Sequence, residues 1–278
     1  MGNETVRNDE HVQTAVRSLF EGVAPEKNAE LKRLWIKYSP RFNVLENVTG
    51  DGRFIMDAGA YRDVRFNHRA LRAFWVASFI AWEGYRAVSE YLREGSMNFD
   101  TLSEMLQCFQ RILDHDDPVA VPLPHGVVEP GVLPDATSFP EQRAPAELAI
   151  FAVGWALLHE IRHIKHQQKG TAASPDDEPA KKREEESSCD DFATRFLLSE
   201  VGAYAASQGV EPTLVRQKRE ISIYFALFAL TLLAKDRWGA SDSHPAIQAR
   251  IHAACKLWDQ MKSVFLPRLA TRLLQLFG

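Results

Sequence analysis

A proline-rich segment near the middle of the chain is the feature that most constrains its fold. Between residues 116 and 145 the sequence is DDPVAVPLPHGVVEPGVLPDATSFPEQRAP, whose prolines are too closely spaced for a helix or a central strand to run through it. Residues 126–129 could still form a short edge strand. The segment separates an N-terminal part, residues 1–115, from a C-terminal part, residues 146–278, and we predict that both belong to a single domain.

Apolar residues recur at helical spacing over most of the two parts. In residues 67–93, for example, Leu71, Phe74 and Trp82 fall on one helical face. The further stretches that predict helices are residues 99–113, 146–168, 184–208, 213–238 and 245–265. The longest apolar run, residues 221–234, is shorter than the roughly 18 to 20 residues that cross a bilayer, so we predict a buried core helix there.

Short extended pieces are predicted in the N-terminal part. Residues 42–45 and 54–56 flank the turn-rich residues 49–52, TGDG, and this pattern predicts a small β-hairpin. A second irregular segment, residues 170–183, is polar and predicts a loop. The expected fold class is therefore mostly α (α+β), a helical body with a small hairpin or edge-strand element.

Composition and charge narrow the classes of protein to which the chain can belong. With 278 residues, of which 45% are hydrophobic, it can bury a sizeable core. Its formal net charge of −4 offers no basic field for nucleic acid or anionic lipid, so we expect neither a nucleic-acid nor a membrane partner. The three cysteines show no CxxC spacing and the first residues show no apolar signal core, which favours a cytoplasmic location.

An HExxH sequence, His159-Glu160-Ile161-Arg162-His163, is the strongest indication of chemistry. On a helix, residues four positions apart lie above one another, so His159 and His163 can offer two imidazole nitrogens to one tetrahedral zinc ion. Glu160, next to the first ligand, can then act as general base toward a water molecule at the metal. The same pattern also occurs in ordinary surface helices, so a third ligand is needed to support the zinc site.

An acidic run after the second irregular segment offers that third ligand. Glu186 shares the buried stripe of the predicted helix with Cys189, whereas Glu184 and Glu185 are expected to rotate toward solvent and complement the helix N-terminus. Asp190, four residues after Glu186, could accept the second N–H of a histidine ligand and fix its tautomer. We interpret Cys189 as a small buried residue.

The sequence SHPAIQAR, residues 243–250, is the third element. Pro245 suits the first turn of a helix, which leaves His244 at the cap position and facing outward. There His244 could donate a hydrogen bond to the oxyanion of a tetrahedral intermediate, and Arg250 could pair with a carboxylate such as Asp190. A histidine at a helix start is more often structural, so this element gains its weight from the other two.

The other histidines are not assigned to the site. His166 would extend the motif to HExxHxxH, but it lies about 10 Å further along the helix axis than His159, too far to share a metal with it. Five more are expected at the surface or hydrogen-bonded in the core: His11, His68, His115, His125 and His252.

The three elements follow one another along the chain as HExxH, then ExxxD followed by Phe192-Ala193, then HPxxxxR. In this order they resemble the gluzincin metalloproteases of the M48 type and the phage-exclusion Lit peptidases of the U49 family. The residues that the resemblance implies are His159, His163 and Glu186 as ligands of Zn²⁺, Glu160 as base, Asp190 behind the ligands, and His244 and Arg250 as supports of the active site. The chain departs from the M48 pattern in its short link from His163 to Glu186 and in Cys189, where alanine is usual.

The resemblance to Lit peptidases implies a zinc-dependent endopeptidase of phage defence, which cleaves a host translation elongation factor when a phage component is sensed. We therefore expect a protein substrate and a phage-derived or other protein activator, with residues 116–145 and 170–183 as a mobile gate. Two alternatives stay open. One is a regulatory protease of the ImmA/IrrE type, and the other is a non-catalytic binding protein whose zinc is structural.

Overall fold

The structure, a computed structural model, describes residues 10–38, 40–43, 54–59, 63–95, 99–234 and 239–258. Its helices are α1 (Glu10–Gly22), α2 (Asn28–Tyr38), α3 (His68–Glu94), α4 (Asp100–Asp114), α5 (Pro140–Lys169), α6 (Pro179–Leu198), α7 (Val201–Gln208), α8 (Pro212–Ala234) and α9 (Ile247–Trp258). A short 3-10 helix (Pro25–Lys27) precedes α2, and the strands are β1 (Arg41–Asn43), β2 (Met56–Ala58) and β3 (Val64–Asn67). The predicted fold class, mostly α (α+β), is confirmed.

Helix α3 begins and ends where its sequence provides caps. The side chain of Asn67 accepts a hydrogen bond from the Ala70 N–H at 2.9 Å, and Gly95 ends the helix with a φ of 72°, which glycine adopts without strain. Residues 68–81 are all buried, so α3 runs through the core rather than along its surface. The helix predicted over residues 67–93 is therefore confirmed.

Helices α3, α5 and α8 pack against one another at the centre of the molecule. The core helix predicted over residues 221–234 forms the second half of α8, where Ile223 and Leu227 are buried. Helix α5 is long and apolar enough to cross a membrane by length and composition alone, but 78% of its most apolar window is buried inside the protein, as expected of a core helix. At Gly154 it approaches the residue after α1 so closely that a Cβ would lie 2.8 Å from the Val23 side chain.

Two predicted boundaries in the C-terminal part are wrong. Helix α5 begins at Pro140, so the irregular segment ends at residue 139 rather than 145, because proline fits the first helical turn, where its missing N–H is not needed. The helix predicted over residues 184–208 begins at Pro179 for the same reason. It is then interrupted at Glu200, whose φ of 61° is left-handed, so that α6 and α7 are separate helices.

The β element is a three-stranded sheet rather than a hairpin. Strand β1 pairs in parallel with β3 and β2 pairs antiparallel with β3, so β1 and β2 lie on opposite sides of β3. The hairpin predicted between residues 42–45 and 54–56 is therefore wrong. Strand β3, in which Val64 and Phe66 are buried, offers one edge to each of the other strands. The predicted turn, residues 49–52, lies outside the described residues.

The proline-rich segment forms no strand in the part of the chain that the structure describes. At residues 126–129 the prediction of an edge strand is wrong, since the chain makes a turn there with Gly126 at a φ of 84°. Helix α3 holds the segment on the core. Arg72 pairs with Glu129, and Trp75 donates its indole N–H to a main-chain carbonyl of the segment at 2.9 Å.

Candidate metal centre

Helix α5 presents two histidines side by side where it meets α6. His159 and His163 lie about one helical turn apart, as their spacing predicts. Their Nε2 atoms are 3.1 Å apart, and the rings meet edge to face at a centroid distance of 4.9 Å. His159 is 6% exposed and rests against the ring of Trp155, whose N–H donates to Thr194 of α6 at 3.1 Å. Aromatic packing thus fixes the first imidazole in the core.

Glu186 of α6 brings a carboxylate to both imidazoles. Its Oε2 lies 3.4 Å from Nε2 of His159, and its Oε1 lies 3.3 Å from Nε2 of His163. In a tetrahedral zinc site with bonds of about 2.0 to 2.1 Å, the ligand atoms are about 3.3 Å apart. Among the described residues, buried Oε2 accepts no hydrogen bond, a cost that a bound cation would offset. The three side chains therefore fit one metal ion.

Cys189 lies about one turn further along α6 and offers an alternative third ligand. Its buried sulfur and the nitrogens of His159 and His163 all lie within 4.8 Å of one another, so these three residues form a cluster that could hold a metal ion. Burial and the surrounding carboxylates raise the pKa of the thiol, so it is a poorer ligand until a metal displaces its proton. The residue is buried as predicted, but the sequence did not indicate its closeness to the imidazoles.

The two imidazoles and the carboxylate of Glu186 shift one another's pKa toward their charged forms. Burial alone would lower the pKa of His159, but its contacts with Asp190 and Glu186 outweigh burial and raise the pKa to about 10. The contact with Glu186 likewise raises the pKa of His163 against the effect of burial. Burial would raise the pKa of Glu186, yet the two histidines hold it well below its ordinary value. These shifts favour a proton on His159, and a metal bound by the imidazole would displace it.

A buried ion pair lies behind His159. Its Nδ1 lies 2.9 Å from Oδ1 of Asp190. Asp190 in turn accepts two hydrogen bonds from Arg250 of α9, from Nε at 2.7 Å and from Nη2 at 2.6 Å. Arg250 is 7% exposed, so the pair belongs to the core. A carboxylate in this position favours the tautomer with the proton on Nδ1, which leaves the lone pair of Nε2 directed at the cluster.

The sequence predicts that Glu185 faces solvent, and this prediction is wrong. Its side chain is 11% exposed, and its Oε1 lies 2.8 Å from Nδ1 of His163. Its Oε2 accepts a hydrogen bond from the main-chain N–H of Ala173, in the loop between α5 and α6. The face that α6 turns toward α5 therefore includes two consecutive acids, Glu185 and Glu186, while Glu184 is exposed as predicted.

Glu160 follows His159 directly in α5, and β2 packs against the same helix. Burial raises the pKa of Glu160 above its ordinary value. The histidines of the cluster oppose this rise, whereas Glu186 and Asp57 of β2 add to it. A carboxylate with a raised pKa can take up and release a proton closer to neutral pH, as a general base must.

His244 reaches the cluster from the segment ahead of α9. Its Nε2 lies 3.5 Å from Oε1 of Glu186, and 55% of its side chain is exposed. Its Nδ1 lies 2.7 Å from the hydroxyl of Ser243. Helix α9 begins at Ile247, so the prediction that Pro245 starts the helix and His244 caps it is wrong. Burial lowers the pKa of His244 below its ordinary value, which favours the neutral imidazole.

His166 lies outside the cluster, in agreement with its distance along the helix. Its Nδ1 lies 2.9 Å from the hydroxyl of Thr171, and its Nε2 lies 3.1 Å from the hydroxyl of Ser188. Both ring nitrogens therefore have a partner on the loop or on α6 and neither faces the cluster.

Together, the fold and the site define a mostly helical protein with a buried cluster of two histidines and a carboxylate on two adjacent helices. The family model described as Peptidase U49 matches residues 64–264, more than two thirds of the chain, and this range contains every residue of the cluster. The chain therefore belongs to the Peptidase U49 family, which confirms the resemblance to that family and implies protease activity. No curated protein and no solved structure matches the chain.

Proposed function

We propose that this peptidase is a zinc-dependent endopeptidase with His159, His163 and Glu186 as its ligands. The observation that carries the proposal is the convergence of their ligand atoms, 3.1 to 3.4 Å apart, which is close to the spacing in a tetrahedral zinc site. Two imidazoles and one carboxylate leave a tetrahedral ion one position for water or substrate. When bound, zinc would lower the pKa of that water and polarise the peptide carbonyl.

Glu160 and His244 are the proposed catalytic residues. The carboxylate of Glu160 accepts the proton that the attacking water loses, and its raised pKa suits it to pass this proton to the leaving amine. His244, half exposed at the edge of the cluster, donates a hydrogen bond to the carbonyl oxygen as that oxygen gains negative charge. Glu185 accepts a hydrogen bond from Nδ1 of His163, and Asp190 lies 2.9 Å from Nδ1 of His159. Both carboxylates favour the tautomer in which the lone pair of Nε2 faces the cluster.

Strand β2 is the proposed contact for the main chain of the substrate. Among the described strands, β2 pairs with β3 on one side only, and it packs against α5, the helix that carries Glu160. An open strand edge can accept an extended peptide through main-chain hydrogen bonds. Such pairing would hold a protein substrate beside the cluster without requiring one particular side chain.

The proposed biological role is phage defence in the cytoplasm, as in the Lit peptidases. This part of the proposal rests on the family membership, and the proposed substrate is a host translation elongation factor. Activity is proposed to wait for a phage-derived or other protein activator, because an open endopeptidase would cut host proteins continuously. The irregular segments before α5 and α6 are the proposed gate, and Asp176, Asp177 and Glu178 in the second one offer negative charge to a basic partner.

Cys189 favours a second candidate function. If the metal takes the thiol in addition to His159, His163 and Glu186, four protein ligands close its coordination and the site is structural. The protein would then act by binding a partner, with the metal stabilising its fold. Whether Cys189 is a fourth ligand therefore decides between the two functions.

Metal content and peptide hydrolysis of four variants test the proposal. The wild type is expected to hold one zinc per chain, and Glu186→Ala is expected to lose it while still folded by circular dichroism. Cys189→Ala should keep both zinc and activity. Glu160→Gln should keep zinc but lose about 10²- to 10⁴-fold in hydrolysis, because the amide preserves the shape but cannot take a proton. Glu184→Gln, at an exposed position of α6, is the matched control.

Hydrolysis is followed by mass spectrometry on casein and on a purified translation elongation factor, with and without a lysate of phage-infected cells as the source of the proposed activator. Zinc that persists in Glu186→Ala but disappears in Cys189→Ala would make Cys189 the third ligand in place of Glu186. Zinc that disappears in both variants would support the structural site with four protein ligands. If Glu160→Gln hydrolysed the substrate at the wild-type rate, Glu160 would not be the general base. Cleavage of casein but not of the elongation factor would support peptidase activity and contradict the proposed substrate.

A further inference from the structure

Glu185 joins a candidate metal ligand to the loop between α5 and α6. Its Oε1 lies 2.8 Å from Nδ1 of His163, while its Oε2 accepts a hydrogen bond from the N–H of Ala173. The side chain of Glu185 is 11% exposed, so water competes little for either contact. One carboxylate thus holds an imidazole of the site and the main chain of residues 170–178 at the same time.

The tip of this loop is held by contacts of its own at the surface. The N–H of Ser174 donates to Oδ2 of Asp177 at 2.6 Å, and the N–H of Asp177 donates to the carbonyl of Ser174 at 3.0 Å. Lys181, in the first turns of α6, pairs with Asp177 at 2.7 Å. These contacts shape the tip, whereas the contact with Glu185 extends inward to the cluster. A displacement of the loop therefore reaches the cluster through Glu185.

We propose that Glu185 is a positioning residue that couples the conformation of residues 170–178 to the metal affinity of His163. The proposal rests on the proposed function, in which His163 is a ligand. With the loop in place, the N–H of Ala173 orients the carboxylate, the carboxylate holds the Nδ1 proton of His163, and Nε2 faces Glu186. With the loop displaced, the carboxylate loses one donor and turns to water, and the imidazole loses the group that orients it.

A coupling of this kind is reciprocal by thermodynamic necessity. If the ordered loop raises the zinc affinity by some factor, zinc raises the stability of the ordered loop by the same factor. A basic partner that holds the acidic tip in its ordered position would then strengthen zinc binding without touching the metal, which is the effect required of the proposed activator. The loop would act on the site through hydrogen bonds, a mechanism distinct from steric covering of the cleft.

Zinc affinity and hydrogen exchange, measured together on the full chain, test the coupling. The zinc Kd is measured by competition with a chelator, and amide exchange in residues 170–178 is followed with and without zinc. In the wild type, zinc should slow the exchange of the Ala173 amide. Glu185→Ala should weaken zinc binding about 10- to 100-fold and abolish the effect of zinc on the loop. Glu184→Ala, at the exposed neighbouring position, should change neither quantity.

Glu185→Gln keeps the size of the side chain and therefore guards against a variant that fails to fold. Its amide oxygen can accept a hydrogen bond, but its NH₂ group cannot, so it can serve only one of the two donors well. Its zinc affinity should fall less than that of Glu185→Ala, while the effect of zinc on the exchange of the loop should still be lost. A retained part of the zinc affinity together with a lost effect of zinc on the loop distinguishes the coupling from a general loss of stability.

Two results would overturn the coupling and leave the zinc site standing. One is an equal slowing of the Ala173 amide by zinc in the wild type and in Glu185→Gln. The other is a zinc Kd of Glu185→Ala within about twofold of the wild type, well short of the loss expected when the partner of a ligand is removed. A wild-type protein that binds no zinc would instead overturn the proposed function, and the coupling with it.

Discussion

The two halves of the candidate metal centre use the same chemistry but are supported in different ways. We call them the buried half, formed by His159, Asp190 and Arg250, and the loop half, formed by His163, Glu185 and Ala173. In each half a carboxylate lies close to Nδ1 of an imidazole, at 2.9 Å in the first and 2.8 Å in the second. The carboxylate of the buried half is held by a core arginine, and that of the loop half by a main-chain N–H of a loop. Folding thus fixes one imidazole, while a surface segment sets the other.

Electrostatics show the same difference. Burial would raise the pKa of Asp190, but Arg250 and His159 hold it below its ordinary value. The pKa of Arg250 is itself raised by Asp190 against the effect of burial. The charges of the buried half therefore depend on each other, and the loss of one leaves the other uncompensated in the core. In the loop half, the second partner of Glu185 is the neutral main-chain N–H of Ala173, so the loss of the carboxylate leaves no buried guanidinium uncompensated.

The largest expected effect is the loss of stability in Asp190→Ala. This change leaves the guanidinium of Arg250 buried without its carboxylate and removes the group that faces Nδ1 of His159. Breaking a buried pair from one side costs about 3 to 5 kcal/mol. We expect the free energy of unfolding to fall by that amount in urea titrations, measured with a chelator present so that metal binding does not contribute.

The matched change in the loop half is Glu185→Ala, for which we expect a loss of about 1 kcal/mol under the same conditions. A carboxylate on the outer side of α6 provides the control, since Asp191 pairs with Arg195 and is 47% exposed. Its replacement by alanine should leave the unfolding curve unchanged. Equal losses in Asp190→Ala and Glu185→Ala would contradict the distinction between the two halves.

The sequence predicted the two histidines, Glu186 and Asp190 because helical periodicity alone places them. A spacing of four residues puts His159 and His163 on one side of α5. The 3.6-residue period of the acidic segment puts Glu186 and Asp190 on the inner side of α6, where the structure has them. Each of these predictions needs only the geometry of a single helix.

Glu185 was missed because its position depends on how two helices are aligned. Helices α5 and α6 run antiparallel, as His159 meets Asp190 while the later His163 meets the earlier Glu185 and Glu186. If His159 is assumed to contact Asp190, a residue four positions later in α5 lies beside a residue about four positions earlier in α6. This alignment places both Glu185 and Glu186 beside His163.

The sheet was mispredicted because strand pairing is a property of the tertiary fold. Local pattern found extended pieces near residues 42–45 and 54–56, and consecutive strands often pair with each other. The third piece, Val64–Asn67, was assigned no strand, yet it is the one that bonds to both of the others. Periodicity within a segment contains no information on which segment lies beside it.

Arg250→Lys sharpens the account of the buried half, with an expected effect between those of Asp190→Ala and Glu185→Ala. Lysine keeps the positive charge, but its compact ammonium cannot reproduce the two-point contact that the guanidinium makes with Asp190. We expect the free energy of unfolding to fall by about 2 kcal/mol, the range of a hydrogen bond to a charged group. Arg195→Lys is the control, because its side chain is 66% exposed. A loss as large as that of Asp190→Ala would show that the shape of the arginine matters more than its charge.

The smallest effect is expected for His166→Ala, which probes the surface side of the loop half. The imidazole of His166 contacts the hydroxyls of Thr171 at 2.9 Å and Ser188 at 3.1 Å. Because both hydroxyls can turn to water when the imidazole is removed, the loss of stability should stay below about 1 kcal/mol in urea titrations. The zinc Kd should match the wild type, since neither ring nitrogen faces the cluster. A clear loss of zinc affinity would mean that contacts at the loop surface orient His163 independently of Glu185. The loop half would then have a second connection between the loop and its imidazole, through His166.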